Sequence, residues 1–435
     1  MKRSAYKQLL TWKTSPDRKP LLLQGARQVG KTWLMQEFGK NEYKNVVYVN
    51  FEETRTVSEY FDRDINPKHI ISSLETHFNT KIDQDDTLII FDEVQESDRA
   101  LNSLKYFNEN APQYHVIAAG SFLGVAMHGS FPVGKVDRIT LYPLSFSEFL
   151  QGTGKERYYE LIKKMDFELI RIMAKDYEEL LKTYFLVGGM PKAVALYAAK
   201  EDMREVRAVQ KAILEDYKDD FSKHISHVNV PKVGIIWDSI PVHLSKEKKK
   251  FMYKEIKTGA RSYTYEDAMN WLFNTRIVYK VSRVTGNKLP LASNVDTHEA
   301  FKLYMLDVGL FAAKADLDVT VLYKNDSTVF GNFNGALTEQ FVLSELITAG
   351  FTPYYWGREK GAAELDFVIQ WKNEVVPVEV KSGIRKKSKS LDVYRGLYHP
   401  VHAIRTTLNH YGKKDGLYSV PLFMIGKIQD LLNTV

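Results

Sequence analysis

The chain has 435 residues, enough for about three domains, and its 44% hydrophobic and 26% charged residues are typical of a soluble globular protein. Its net charge of +6 is mild for this length and does not by itself indicate nucleic-acid binding. The sequence has no cysteine, which excludes disulfides, cysteine-ligated zinc, iron–sulfur clusters and thiol catalysis. It also has no signal-peptide pattern and no apolar run of about 18 residues, so we expect a cytoplasmic protein without a membrane span.

The first motif along the chain is an apolar run, a glycine-rich stretch and a helical pattern. Leu21–Leu23 is followed by Gly25-Ala26-Arg27-Gln28-Val29-Gly30-Lys31-Thr32, which has the spacing Gly-x-x-x-x-Gly-Lys-Thr. In a strand–loop–helix context this spacing predicts a phosphate-binding loop, and a simple glycine-containing turn is the alternative. The loop amides would face a polyphosphate, Lys31 would reach its β and γ phosphates, and the Thr32 hydroxyl would ligate Mg²⁺.

Four further segments have the composition of strands: residues 45–51, 87–91, 114–121 and 136–145, the last of which ends at a proline-marked turn. Asp92 and Glu93 directly follow the second of these segments. We expect Asp92 to hold the Mg²⁺ shell and Glu93 to orient the water that attacks the γ-phosphate. Ser121 ends the next strand and either senses the γ-phosphate or the lytic water, or serves as a helix N-cap or turn serine. Alternating strands and helices predict a parallel sheet that is covered on both faces.

The middle of the chain is less specific. Residues 151–227 are mostly helical and charged, which predicts a helical lid or connector. Residues 228–315 combine helices with two strand-like segments and suggest a winged-helix module. Such a module often binds DNA, and a purely structural or protein-binding role is the alternative. The charge run Ser245–Lys250 is expected to be a solvated face.

Acidic and basic side chains recur on two alternating segments near the C-terminus. Asp366 lies on the first segment, and Glu379 and Lys381 lie two positions apart on one face of the second. Asp366 and Glu379 could ligate Mg²⁺, and Lys381 could position or activate a water beside a phosphodiester. The basic segment Arg385–Lys389 could then track a phosphate backbone. An ordinary hairpin with a surface glutamate and lysine is the alternative.

The chain resembles a family of bacterial and archaeal ATPases that join an N-terminal AAA+ core to a C-terminal domain of uncharacterised function. The resemblance covers nearly the whole length, because its motifs occur in one order from end to end. Besides the phosphate-binding loop, these motifs are Phe91–Gln95, Ala119–Leu123, Leu141–Phe149, Gly188–Pro191, Phe301–Leu310 and Glu379–Gly383.

The resemblance implies ATP and Mg²⁺ as cofactors and a restriction-endonuclease-like fold for the C-terminal part. The Asp…Glu-x-Lys site of that fold matches Asp366, Glu379 and Lys381, and Glu339 stands where the fold often has a helical carboxylate. One departure concerns Gly134-Lys135, where the family usually has Gly-Arg. Lysine is a poorer bidentate clamp for phosphate, so we assign no arginine finger.

The predicted fold class is α/β, a P-loop NTPase sheet with a helical lid, a winged helix and a nuclease-like C-terminal domain. The predicted regions are the AAA+ ATPase core at 1–150, the lid at 151–227, the winged helix at 228–315 and the PD-(D/E)xK nuclease-like domain at 316–435. We expect an ATPase that controls a DNA-binding or nuclease-like module. The alternative is a signalling or scaffold ATPase whose C-terminal domain binds protein or nucleic acid without catalysis. The expected partners are ATP and ADP, with DNA and a second copy of the chain as candidates.

Overall fold

The computed structural model describes residues 2–121, 132–246, 249–256, 261–296, 300–318, 327–358, 361–383 and 388–433, with only the backbone at 327–333. Three sequence predictions lie partly or wholly outside the described residues, at Phe122-Leu123 of a family motif, Glu247-Lys248 of the charge run and Arg385–Lys387 of the basic segment. The chain forms two compact units. Unit 1 comprises Met1–Tyr142 and Asn274–Arg276, and unit 2 comprises Pro143–Phe273 and Ile277–Val435.

Unit 1 alternates strands and helices, as the sequence predicts. Its elements are α1 (Ala5–Lys13), β1 (Leu21–Gln24), α2 (Lys31–Glu42), β2 (Asn45–Asn50), α3 (Arg55–Arg63), α4 (Pro67–Phe78), β3 (Thr87–Asp92), a 3₁₀ turn (Val94–Glu96), α5 (Asp98–Asn110), β4 (His115–Gly120) and β5 (Asp137–Thr140).

The sheet of unit 1 has the order β2-β3-β4-β1-β5, and every strand pair in it is parallel. Strands β3 and β4 are buried along their whole length, which explains their apolar sequences. The predicted parallel sheet is therefore confirmed. After β1 the chain crosses to β2 at the far edge of the sheet. Strand β5 lies next to β1 on the side away from β4. Ligands of open parallel sheets bind beyond the carboxyl ends of the strands at such a switch point.

Unit 2 begins with helices and ends with a large mixed sheet. Its helices are α6 (Phe146–Gly152), α7 (Glu156–Lys164), α8 (Phe167–Ile172), α9 (Ala174–Val187), α10 (Pro191–Lys200), α11 (Met203–His224), α12 (Val230–Ser245), α13 (Tyr253–Ile256), α14 (Ser262–Asn274, whose last residue belongs to unit 1), α15 (Val308–Lys314), α16 (Ser327–Thr348), α17 (Lys389–Tyr398) and α18 (Ile428–Asn433). Its strands are β6 (Val278–Val284), β7 (Phe301–Met305), β8 (Tyr354–Gly357), β9 (Glu364–Trp371), β10 (Glu374–Val380), β11 (Ala403–Thr407), β12 (Gly412–Lys414) and β13 (Leu417–Pro421). The 3₁₀ turns Leu291–Asn294 and Leu422–Lys427 complete it.

The strands of unit 2 follow the order β12-β13-β11-β10-β9-β8-β6-β7. Strands β6 and β7 form the antiparallel pair that the sequence suggests as a wing, after helices α12, α13 and α14. However, β6 also pairs in parallel with β8, so this hairpin is one edge of the larger sheet. The winged helix is not confirmed, and the division into four domains stays a prediction.

Two motifs of the family resemblance meet in unit 2. Helix α9 ends at Val187, Gly188 and Gly189 follow, and α10 begins at Pro191, a residue suited to a first helical turn. The Asp307 carboxylate accepts hydrogen bonds from the Gly189 amide at 2.6 Å and from the Leu310 amide at 2.8 Å. Burial raises the pKa of Asp307 to about 6. These motifs therefore join two helix ends within unit 2.

Helix length and polarity bear on the membrane prediction. Over the described ranges, no helix is both long and apolar enough to cross a bilayer.

Candidate functional site

The glycine-rich loop connects β1 to α2 at the carboxyl edge of the sheet in unit 1. Gly30 caps α2 with a φ of 93°, a left-handed conformation that costs glycine little. A Cβ at Gly25 would lie 2.3 Å from the Leu141 carbonyl oxygen, so a larger residue would displace the backbone there. Ala26 and Val29 are buried, and Arg27 and Gln28 are half-buried. The sequence therefore meets the steric requirements of the predicted loop at both glycines.

Lys31 is buried within this loop. Its ammonium group donates to the carbonyl oxygens of Gly25 at 3.0 Å and Ala26 at 2.9 Å, and to the Ser121 hydroxyl at 3.0 Å. Burial lowers the pKa of Lys31 to about 8, against the opposing effect of the Glu93 carboxylate. The structure thus brings together two of the predicted site residues, Lys31 and Ser121.

Thr32 and Asp92 form a second contact at this edge. The Thr32 hydroxyl donates to Asp92 Oδ2 at 2.6 Å, and the Tyr48 hydroxyl donates to the same oxygen at 3.0 Å. A hydroxyl and a carboxylate are oxygen donors of the kind that Mg²⁺ takes, so the residues fit the predicted ion. The sequence analysis did not identify Tyr48. Its position on β2 does give a clue. Asn50 of β2 is in register with Asp92, and Tyr48 lies two residues before Asn50, on the same face of the strand.

Glu93 follows β3 in a left-handed conformation with a φ of 49°, which is uncommon outside glycine and often marks functional sites. Its Oε2 accepts a hydrogen bond from the Gln95 amide group at 2.6 Å, and its own backbone amide donates to Asp92 Oδ1 at 3.0 Å. Burial raises the pKa of Glu93. The turn therefore holds the two predicted acids side by side with separate hydrogen-bond partners.

Arg3 is a residue of this site that sequence reasoning missed. Its guanidinium donates to the carbonyl oxygens of Val29 at 3.1 Å and Tyr142 at 2.5 Å, and its side chain is buried. Arg3 therefore fastens the phosphate-binding loop to the segment after β5. No local pattern marks it, because it lies 26 residues from its nearer partner.

A second cluster lies in unit 2 and contains the predicted C-terminal residues. Asp366 is on β9, Glu379 is on β10, and Lys381 follows β10 directly. The Lys381 ammonium lies 2.6 Å from Glu379 Oε1, and Asp366 Oδ2 accepts a hydrogen bond from the Val380 amide at 2.7 Å. The neighbouring strands β9 and β10 thus bring all three residues to one region of the sheet.

Two further lysines contribute to this cluster. Lys302 on β7 lies 2.7 Å from Glu364 Oε1 and 4.0 Å from Glu339 Oε2. Lys249 forms an ion pair with Glu339, and the Tyr304 hydroxyl donates to Glu339 Oε2 at 3.1 Å. The expectation that Lys249 belongs to a solvated charge run is wrong, since its side chain is only 14% exposed. A buried carboxylate needs a cation, and Lys249 supplies one.

The charges in this cluster act strongly on one another. Burial, followed by the negative charges of Glu339 and Glu379, raises the pKa of Asp366 well above its usual range. Burial also disfavours the Glu339 carboxylate, but the ammonium groups of Lys249 and Lys302 outweigh it and lower the pKa of Glu339. For Lys381, burial is outweighed by the Glu379 carboxylate, which raises the pKa of the lysine. The ammonium groups therefore stabilise the ionised acids.

The chemistry of these oxygens suits Mg²⁺, and Glu379 Oε2 is buried without a hydrogen-bond partner in the described part of the chain. The present arrangement nevertheless pairs Glu339 and Glu379 with lysines. Among the described residues, no three acidic, histidine or cysteine side chains stand together as ligands for one ion. The metal site at Asp366 and Glu379 therefore stays a prediction.

Three family models match parts of the chain. Residues 17–150 match an AAA domain. Residues 178–320 match the domain of unknown function DUF8612, and residues 334–424 match the domain of unknown function DUF4143. No curated protein matches the sequence. The match to the AAA domain thus spans the glycine-rich loop and the residues Asp92, Glu93 and Ser121.

Solved structures give looser similarities. A Walker-type ATPase of Pyrococcus abyssi is 13% identical, with a TM-score of 0.45, and the match covers 72% of this chain and 95% of that one. The Orc1 protein of Aeropyrum pernix, solved with DNA, is 12% identical with a TM-score of 0.30. The match covers 72% of this chain and 92% of that one. DnaA of Aquifex aeolicus, solved with AMPPCP, is 13% identical with a TM-score of 0.29, covering 62% and 86%.

Proposed function

We propose that unit 1 binds ATP with Mg²⁺ and hydrolyses it. The observation that carries this proposal is the convergence of two pairs at one sheet edge. Lys31 lies 3.0 Å from the Ser121 hydroxyl, and Thr32 lies 2.6 Å from Asp92. Both pairs stand beside the glycine-rich loop, within the part of the chain that matches an AAA domain.

Each residue has a defined part in this proposal. The amides of Gly25–Gly30 and the start of α2 receive the phosphates, and Lys31 exchanges the carbonyls of its own loop for phosphate oxygens. Thr32 and Asp92 would hold Mg²⁺, which when bound would supply positive charge to offset that of the phosphates. Glu93 orients the attacking water, and Ser121 contacts the γ-phosphate.

Replacing Lys31 tests the proposal. We expect Lys31→Ala to lower ATP turnover by about 100-fold or more, because a preorganised cation is lost from a buried site. The measurement is phosphate release at saturating ATP. The matched control is Lys40→Ala, an exposed lysine on the same helix. Normal turnover in Lys31→Ala would contradict the assignment.

Glu93→Gln separates binding from hydrolysis. This variant keeps the shape of the side chain and removes the carboxylate that would orient water. We expect ATP affinity in calorimetry to be unchanged and turnover to fall by about 100-fold or more. A variant that hydrolyses ATP at the wild-type rate would remove Glu93 from the proposed mechanism.

For unit 2, we propose that the cluster around Asp366, Glu379 and Lys381 is the site at which ATP-dependent control is exerted on a nucleic acid. The fit of the three residues to the Asp…Glu-x-Lys pattern supports a nuclease-like action. The pairing of Glu339 with Lys249 instead favours the alternative, a module that binds protein or nucleic acid without cleavage.

A nicking assay on supercoiled DNA with Mg²⁺ decides between these two functions. Cleavage that disappears in Lys381→Ala, but persists when the exposed Lys414 is replaced by alanine, favours the nuclease. Absence of cleavage, or cleavage unaffected by Lys381→Ala, favours binding alone.

A further inference from the structure

Arg276 occupies an unusual place in the chain. It stands between the end of α14 at Asn274 and the start of β6 at Val278. The three residues Asn274–Arg276 belong to unit 1, whereas the sequence on both sides belongs to unit 2. Arg276 is half-buried and has a φ of 61°, a left-handed conformation that costs a non-glycine residue about 1 kcal/mol or more. The surrounding structure must therefore hold it in this conformation.

Within unit 1, the Arg276 guanidinium donates a hydrogen bond from Nη2 to Gln24 Oε1 at 3.1 Å. Gln24 is the last residue of β1 and immediately precedes Gly25. It is in register with Gly120 of β4, the residue before Ser121. Arg276 is therefore held at the level of the sheet edge where Lys31 and Ser121 meet.

The chemistry of arginine suits this position. The guanidinium is always charged, and its planar fork of donors matches two phosphate oxygens at once. Among the described residues, Gln24 uses one of these donors, which fixes the direction of the group and leaves others for a ligand. Bound ATP would present its terminal phosphate to Lys31 and Ser121 at the same edge, whereas ADP has no phosphate there.

We propose that Arg276 binds the γ-phosphate of ATP and makes the site prefer ATP over ADP. Because α14 and β6 flank Arg276 directly, the presence of the γ-phosphate is transmitted to these two elements. Strand β6 leads on into the sheet of unit 2, where it pairs with β7 and β8. This inference rests on the proposed binding of ATP at the loop, and it supplies the link by which nucleotide would control unit 2.

Calorimetry with a non-hydrolysable ATP analogue and with ADP tests the binding step. We expect Arg276→Ala to weaken the affinity for the analogue by about tenfold or more, since one charge-assisted contact is lost, and to leave ADP affinity unchanged. Arg276→Lys should lose less affinity for the analogue, because it keeps a positive charge. The control is Arg261→Ala, an exposed arginine just before the other end of α14.

Arg276→Gly guards against a trivial loss of structure, because glycine accepts the left-handed backbone without strain. It should unfold at or above the wild-type temperature and still lose the preference for the ATP analogue. Unchanged affinities in both variants would overturn the inference, and so would an equal loss of ATP-analogue and ADP affinity.

Hydrogen exchange tests the transmission step. In the full-length wild type, we expect the ATP analogue, but not ADP, to slow amide exchange in α14 and β6, and Arg276→Ala to abolish this difference. If Arg276→Ala showed the same difference in exchange between the ATP analogue and ADP as the wild type, the link would be refuted. If the wild type binds no nucleotide at all, the proposed function fails together with the inference. If it binds and hydrolyses ATP while the Arg276 variants behave like wild type, only the inference fails.

Discussion

Glu345 is a buried carboxylic acid on α16, in unit 2. Its Oε1 accepts a hydrogen bond from the Phe146 amide at 2.8 Å. Burial, with a smaller effect from the negative charge of Glu148, raises the pKa of Glu345 to about 7. The folded protein therefore holds a proton on Glu345 at pH values where the unfolded chain has released it. Glu345 therefore contributes to a dependence of the stability of unit 2 on pH near neutrality.

The direction of that dependence follows from proton linkage. Between pH 4.5 and about 7 the folded state binds more protons than the unfolded state at Glu345, so the free energy of unfolding falls as pH rises. A pKa rise from 4.5 to about 7 corresponds to a loss of roughly 3 kcal/mol in the free energy of unfolding above pH 7. We expect Glu345→Gln to be more stable than wild type at pH 8 and close to it at pH 5.

Denaturant unfolding at both pH values measures this difference. Glu179→Gln, which removes an exposed acid from α9, is the control and should change little. Equal destabilisation of Glu345→Gln at pH 5 and pH 8 would show that packing, and not the charge, dominates.

The residues of the site differ in how far the sequence predicts them. Lys31, Thr32, Asp92 and Ser121 follow from a motif and from strand ends, because parallel strands gather their carboxyl ends at one edge. Arg276 lies 252 residues from Gln24 in the chain, and no local pattern records such a contact. The sequence does contain a signal for Lys302, since a lysine stands in the middle of the apolar strand Phe301–Met305.

At the scale of single elements, helix α6 shows how a short sequence sets a helix start. Ser145 and Glu148 form a capping box: the Glu148 amide donates to Ser145 Oγ at 3.3 Å, and the Ser145 amide donates to Glu148 Oε2 at 3.0 Å. Two backbone donors that the helix itself cannot satisfy thus find partners. This pair lies in the motif Leu141–Phe149, so part of that motif serves folding.

Removing the cap should cost stability. We expect Ser145→Ala to lower the free energy of unfolding by about 1 kcal/mol, since one helical amide loses its acceptor. Ser145→Asp should restore most of it, because aspartate accepts the same hydrogen bond. Ser147→Ala, two residues further along the helix, is the control. Chemical denaturation of the three variants measures the effect, and an alanine variant as stable as wild type would contradict the role of the cap.

Elements and their pairing are not equally predictable. The sequence predicts the strands of unit 1, since buried parallel strands are short apolar runs between helices, but it extends the fifth strand to residue 145, whereas β5 ends at Thr140. The sequence also predicts the β6–β7 hairpin, but not the pairing of β6 with β8, which begins 49 residues after β7 ends. Composition indicates that a segment is a strand, but it does not determine which strands it pairs with. The hairpin of a winged helix and the edge of a larger sheet therefore have similar sequences.

At the scale of the whole molecule, the chain has two compact units, each with its own sheet. A ligand that binds only the folded form of one unit stabilises that unit by mass action. At a nucleotide concentration 100 times the dissociation constant, the gain is about 2.7 kcal/mol. The proposed ATP site lies in unit 1, so its stability should respond to nucleotide.

Calorimetric unfolding tests this expectation. We expect two transitions, with Mg²⁺ and a non-hydrolysable ATP analogue raising the midpoint of one by several degrees and that of the other by clearly less. In Lys31→Ala the shift should vanish. Limited proteolysis of the partly unfolded sample would identify the responsive transition as that of unit 1. A shift of both transitions by the same amount would argue against independent unfolding.

The return of the chain to unit 1 for Asn274–Arg276 also bears on how such a protein can be rearranged by recombination. A gene exchange that swaps everything after Tyr142 for an unrelated partner would deprive the N-terminal unit of three of its own residues. The halves are therefore poor candidates for shuffling as independent cassettes, and a transplanted N-terminal half would need a substitute arginine from its new host.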